Sequence, residues 1–243
     1  MDKNDLSFDG KILNTPYGKP DAYGALSMPI YQSAAFEFES AEDMEDAFKG
    51  KTSDHTYSRI TNPTVQYFES RVQAITNALS VTAVNSGMAA ITNAIITLAQ
   101  SGSNIVTSKY LFGNTYSFFS TTLAAFGIEV RFCDLRNVDE VESRIDDNTC
   151  ALFLEIITNP QMEVADLKAV SAITREKGVP LVADTTIVPF CAFKAREWGV
   201  NIEIVSSTKY ISGGATSLGG LIIDYGNFDW QASPKLHAMS KEF

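Results

Sequence analysis

From residue 80 onward the chain alternates between short apolar runs and longer stretches whose apolar residues recur at helical spacing. The apolar runs at 80–84, 104–107, 128–132, 150–155, 180–184, 202–206 and 218–224 predict seven strands. The stretches at 88–100, 114–126, 137–146 and 166–177 predict helices between the earlier strands. Alternation of this kind predicts an α/β fold, a mostly parallel seven-stranded sheet with helices on both faces. The last strand follows 202–206 after too short a connection for a crossover, so it is expected to be antiparallel. Before residue 80 the pattern is weaker. Residues 1 to about 35 lack periodicity and carry Pro16, Gly18, Pro20, Gly24 and Pro29, which reads as an extended arm. Ser40 is placed to cap a short acidic helix, and Pro63 opens a longer one with Val65, Phe68, Val72 and Ile75 at helical spacing.

Composition narrows the class. The chain has 243 residues, 45% of them hydrophobic, enough for one large domain with a substantial core. A net charge of −10 with no basic cluster argues against a nucleic-acid partner. No run of 18 apolar residues predicts a membrane span, and the polar start Met1-Asp2-Lys3-Asn4-Asp5 is unlike a secretory signal. Cys133, Cys150 and Cys191 are scattered and odd in number, and are expected to be buried, reduced thiols of a cytoplasmic protein. The only histidines are His55, in a polar loop, and His237, in the tail. A His-rich metal centre is thereby excluded, no metal site is expected, and a Ser-His-Asp triad would need one of these two.

The strongest chemical signal is Ser206-Ser207-Thr208-Lys209, which follows the run 202–205 and precedes Gly213-Gly214. A lysine dressed with hydroxyls and glycine backbone suits pyridoxal 5'-phosphate (PLP): the amine forms a Schiff base and the hydroxyls bind the phosphate. Its ordinary alternative is a surface lysine after a strand. Asp184 closes the run 180–184. A carboxylate there can keep a pyridine nitrogen protonated, or simply cap a strand end. Ser86-Gly87-Met88 joins a predicted strand to a predicted helix, where free backbone N–H groups can hold a phosphate or merely start a helix. In Tyr57-Ser58-Arg59 the guanidinium can grip a phosphate, or sit in a solvated loop. Ser86-Gly87, Asp184 and Ser206 to Lys209 all follow strand ends, where ligands bind in such sheets.

Together with Asn62-Pro63-Thr64, Glu155 and Asn159-Pro160, these residues resemble the Cys/Met-metabolism PLP-dependent enzymes, the cystathionine γ-synthase family, from about Gly24 to the end of the chain. The resemblance implies a fold type I PLP-dependent transferase. Lys209 corresponds to its Schiff-base lysine and Asp184 to the partner of the pyridine nitrogen. Ser206, Thr208, Ser86, Gly87 and Met88 correspond to the phosphate cradle. Tyr57 and Arg59 correspond to residues that reach the phosphate of a neighbouring subunit, with Tyr57 counted beside Lys209 as catalytic. Asn159 corresponds to a residue near the cofactor's phenolic oxygen and Glu155 to its support.

Departures from the family pattern are informative. Phe112, in Leu111-Phe112-Gly113, stands where the family has a tyrosine. It can stack on the ring but cannot act as an acid; Tyr110 is the candidate to compensate. Thr185 replaces an asparagine. Family members are longer, with a C-terminal domain that supplies an arginine for the substrate carboxylate. The expected organisation is therefore an N-terminal arm and cross-subunit segment over 1–60, a PLP-binding large domain over 61–243, and no small C-terminal domain.

The implied reaction is γ-replacement in sulfur amino-acid metabolism: O-acetylhomoserine plus sulfide or a thiol, giving homocysteine or methionine. The stretch Gly219 to Trp230 leans toward the family's sulfhydrylases. Methionine γ-lyase, cystathionine γ-synthase or lyase, and a catalytically silent PLP-binding fragment are the alternatives. The implied partners are a small amino-acid substrate and further copies of the chain, as a dimer or tetramer.

Overall fold

The computed structural model of the chain describes residues 6–16, 21, 23–214, 216–231 and 233. His237 lies outside them. Two compact units divide between Ile75 and Thr76. The first carries α1 (Phe8–Asn14), α2 (Ala41–Phe48) and α3 (Pro63–Thr76), which ends at the division. Helix α1 corrects the reading of the first 35 residues as wholly extended. Ser7 accepts the Gly10 N–H at 3.1 Å and Asp9 sits in the first turn, so a short helix is capped where no apolar periodicity announced one. Ser40 caps α2 by accepting the Asp43 N–H at 3.1 Å, as expected. Asn62 opens α3: its Oδ1 accepts the Thr64 N–H at 2.9 Å, while its Nδ2 donates to the Tyr31 carbonyl at 2.9 Å and to Ser58 Oγ at 3.0 Å.

The second unit holds the seven expected strands: β1 (Ser80–Val84), β2 (Asn104–Ser108), β3 (Glu129–Cys133), β4 (Thr149–Glu155), β5 (Leu181–Asp184), β6 (Ile202–Val205) and β7 (Gly220–Asp224). They form one sheet in the order β1-β7-β6-β5-β4-β2-β3. The pairs β2–β3, β2–β4, β4–β5 and β5–β6 are parallel. Strand β7 is antiparallel to both β1 and β6, as its short connection requires. Every residue of β4 is buried, which is why it reads as an unbroken apolar run rather than an alternating one.

Between the strands lie α4 (Gly87–Leu98), α5 (Gly113–Ser117), α6 (Leu123–Ala125), α7 (Val138–Arg144) and α8 (Leu167–Glu176). Helix α4 buries Ala90, Ile91, Ala94, Ile95 and Leu98 in a core with Ile105, Ala151, Phe153, Val182 and Ile204. Burying each large aliphatic side chain is worth roughly 1.5–3 kcal/mol, so this layer fixes α4 on the sheet. The helix expected over 114–126 is interrupted by a π turn at Phe118–Thr122 between α5 and α6. The wider turn allows consecutive Phe118 and Phe119 both to be buried, and Phe119 packs 5.1 Å from the Phe153 ring. Asp166 caps α8 by accepting the Ala169 N–H at 3.0 Å, and Gly178 leaves it with φ +64°.

Gly220 opens β7 against the turn that leaves β1. A methyl group there would lie 2.9 Å from the Gly87 nitrogen and closer still to the Ser86 carbonyl oxygen, both backbone atoms. Gly220→Ala is therefore expected to destabilise the chain by about 1–3 kcal/mol through overpacking. Urea unfolding checks this; an unchanged midpoint would show that the β1–β7 edge can open at no cost.

Candidate active site

One edge of the sheet gathers the residues that carry chemistry. In register, Val84 lies opposite Gly220, Leu221 opposite Val205, and Asp184 opposite both Ile204 and Glu155. The carboxyl ends of β1, β4, β5 and β6 thus lie along this edge, and because β7 runs the other way its first residue joins them. Ser86-Gly87 leaves β1, Glu155 ends β4, Asp184 ends β5, and Ser206 to Lys209 leave β6.

The first part of the site is a surface of hydrogen-bond donors suited to an anion. Ser86 caps α4, accepting the Ala89 N–H at 3.1 Å. The N–H groups of Gly87 and Met88 have no acceptor among the described residues and lie at the positive end of the helix dipole. Gly87 sits directly against Ser206: a methyl group on it would come within 2.7 Å of Ser206 Cβ. Only glycine permits that approach. Ser206 is held in turn by its N–H, which donates to Thr186 Oγ1 at 2.8 Å, and by its carbonyl, which accepts the Lys209 N–H at 3.2 Å. The Thr208 hydroxyl donates to the Gly219 carbonyl at 3.2 Å and accepts the Gly219 N–H at 3.1 Å, closing the loop between β6 and β7. Lys209 is exposed on that loop. The Met88 sulfur accepts the Thr115 hydroxyl at 3.7 Å.

The second part is a set of desolvated acids. Asp184 keeps some exposed surface as a residue, but its carboxyl is packed closely enough that burial raises its pKa, against the Thr186 N–H that donates to Oδ1 at 2.9 Å. No cation pairs with it among the described residues. Beside it Glu155 is pushed up to about 7, first by burial, and also by the charge of Asp184. Its two oxygens accept the Phe112 N–H at 2.6 Å and the Asn159 N–H at 3.1 Å. One buried carboxyl thus fixes both the segment that presents Phe112, a residue 48% exposed, and the segment that carries Asn159.

Of the residues singled out in the sequence, Ser86, Gly87, Met88, Phe112, Glu155, Asn159, Asp184, Ser206, Thr208 and Lys209 all belong to this edge. Tyr57 and Arg59 belong to the first unit, where the Arg59 guanidinium lies 4.7 Å over the Tyr57 ring and Tyr57 bridges to Ala35. Lys109 Nζ lies 5.1 Å from the Tyr110 ring centre. One expectation is corrected. Cys191 is exposed, because it falls in the irregular segment after β5; Cys133 and Cys150 are buried, and burial raises their thiols to about 12 and about 11. Thr186, which joins the site, and the buried pair Glu203 and Tyr225 outside it were not foreseen. Thr186 follows β5 with nothing in the sequence to mark its hydroxyl. Glu203, a charge inside an apolar strand, was a visible signal.

Comparison with known proteins finds that residues 9–241 match the family described as Cys/Met metabolism PLP-dependent enzyme. The O-acetyl-L-homoserine sulfhydrylase of Corynebacterium glutamicum is 41% identical over 209 residues, covering 85% of this chain and 47% of the relative. A solved O-acetylhomoserine sulfhydrylase from Wolinella succinogenes is 50% identical with a TM-score of 0.68, covering 73% of this chain and 51% of that one. A putative O-acetylhomoserine (thiol)-lyase from Campylobacter jejuni, solved with a pyridoxyl-lysine monophosphate, is 33% identical with a TM-score of 0.86, covering 90% and 54%. The chain spans about half the length of the curated relatives it matches.

The raised acids give a pH dependence whose sign is fixed. Between the ordinary carboxylate range and about pH 7 the folded chain binds more protons at Glu155 than the unfolded chain does. Stability therefore falls as pH rises through that window, by at most roughly 3 kcal/mol from this group. Glu155→Gln is expected to flatten the slope of unfolding free energy between about pH 4.5 and 7. Equal slopes in the two proteins would show that Glu155 is not protonated on folding.

Proposed function

Because this chain belongs to the Cys/Met metabolism family of PLP-dependent enzymes, we propose that its carboxyl-edge site holds PLP and serves γ-replacement, in which sulfide or a thiol displaces the acetate of O-acetylhomoserine. The observation that carries this reading is the meeting of an anion surface, a desolvated acid without a cation and a lysine at one sheet edge.

The residues fit the group. Gly87 and Met88 offer two N–H groups free of acceptors among the described residues, and Gly87 can lie against Ser206 only because it has no Cβ. Asp184 is a buried acid with no cationic partner among the described residues, and a protonated ring nitrogen would supply that charge. When bound, the cofactor supplies an electron sink for charge developing on substrate carbon. The chain's part is then as follows. The Lys209 amine would hold the aldehyde and, when free, would accept the substrate's α-proton and move the β-proton. Asp184 would keep the ring nitrogen protonated. Ser206, Thr208 and the α4 N-terminus would hold the phosphate, and Phe112 would offer a ring face on a segment fixed by Glu155.

Phe112 also favours acetate as the leaving group. A phenylalanine cannot protonate what departs. Acetate is the conjugate base of a carboxylic acid and leaves without a proton, whereas expelling the thiolate of methionine gains far more from an acid. Tyr57 and Arg59 complete the proposal as groups acting on the phosphate of a neighbouring copy in a homo-oligomer, with residues 1–60 as arm and cross-subunit segment and 61–243 as the cofactor domain. No helix among the described residues is long and apolar enough to cross a membrane, which suits the cytoplasmic location we infer.

Borohydride reduction of the PLP-loaded protein should leave a pyridoxyl group on Lys209, located by mass mapping, and Lys209→Ala should lose it. An adduct on another lysine would sink the assignment. With O-acetylhomoserine and sulfide the assembled enzyme should release homocysteine at least about tenfold faster than it consumes methionine alone; the reverse preference would make the chain a γ-lyase.

A further inference from the structure

Glu203 has no part in the site as described, yet it is one of the largest side chains sealed in the fold, at 1% exposure. Its register partners on β5 and β7 are Ala183 and Ile223, whereas Asp184 pairs with Ile204. Alternation along the strands therefore puts Glu203 on the opposite face of the sheet from Asp184. A carboxyl buried without a cation is costly unless donors satisfy it. Two do: the Thr185 hydroxyl donates to one oxygen and the Tyr225 phenol to the other.

Thr185 is the residue that follows Asp184. Its N–H donates to the Ile204 carbonyl at 3.0 Å. Thr186, next in line, donates its N–H to Asp184 Oδ1 and accepts the Ser206 N–H on its hydroxyl. The turn Asp184-Thr185-Thr186 is thus held from below by Glu203 and from above by its own bonds to Asp184 and Ser206. We propose that Glu203 is a positioning residue for Asp184, locking through Thr185 the turn that aims the Asp184 carboxyl. The task of that carboxyl rests on the function proposed above; the tie itself does not. The charged and titratable groups around the pair are Asp184 and Tyr225 on Glu203, Arg196 acting on Tyr225, and Glu155 beside Asp184.

The test reads the Asp184 carboxyl directly, by 13C NMR as pH is varied in the cofactor-free chain, with the signal assigned by Asp184→Asn. Thr185→Val removes the hydroxyl at nearly constant shape, and Thr185→Ser keeps it. The valine variant should lower the Asp184 midpoint by about half a unit or more as the turn loosens and the carboxyl regains water. It should also weaken PLP binding about tenfold. The serine variant and Glu203→Gln, which keeps both a donor and an acceptor, should stay close to the parent in both readings. An unmoved midpoint in Thr185→Val, or the same shift in Thr185→Ser, overturns the tie. If the valine variant does not fold, Tyr225→Phe frees Glu203 from its other side; a smaller shift in the same direction is expected, and none overturns the tie. A tie seen by NMR in a parent chain that forms no pyridoxyl adduct on Lys209 would remove the task assigned to Asp184 and leave its positioning intact.

Discussion

The site depends on how closely β7 lets the ends of β1 and β6 approach each other. Strand β7 is inserted antiparallel between them, and its first residue, Gly220, lies against the backbone of Ser86 and Gly87. With no Cβ at Gly220 the turn out of β1 can drop onto the sheet edge; with none at Gly87 it can touch Ser206. These contacts bring the free N–H groups of the α4 N-terminus to the loop that carries Lys209. The apolar layer under α4 holds the helix in that position, so packing and chemistry share one cause.

What the edge gains in chemistry it loses in comfort. Glu155, Asp184 and Glu203 are all raised by burial, and none has a cationic partner among the described residues. A core built only for stability would carry apolar residues at these places. Each acid instead holds something in place. Glu155 gathers the N–H groups of Phe112 and Asn159, Asp184 closes a turn with Thr186, and Glu203 takes the hydroxyls of Thr185 and Tyr225 from beneath. Local cost concentrated where groups must be oriented is the usual mark of a working site.

Much of this was legible in the chain. The run 150–155 announces a strand buried on both faces because parallel strands carry no polar alternation. The short link from β6 to β7 dictates an antiparallel strand. Lys209, Asp184 and Ser86-Gly87 could be placed on one edge because each follows a strand end. Other features were hidden for identifiable reasons. Helix α1 is capped by Ser7 but buries nothing, so no hydrophobic period marks it. The π turn at Phe118–Thr122 adds a residue that helical spacing cannot distinguish from a continuous helix. Glu203 depends on partners 18 and 22 residues away, a distance at which only the register of the sheet makes neighbours.

The central claim is that Asp184 is an acid placed to meet a cationic ring. Nitrogen NMR of the chain loaded with PLP labelled at the pyridine nitrogen tests it most directly. A bound ring nitrogen that stays protonated at pH 8, and loses its proton in Asp184→Asn, is the predicted result. A bound nitrogen that is unprotonated in the parent chain, or indifferent to the substitution, would contradict the account.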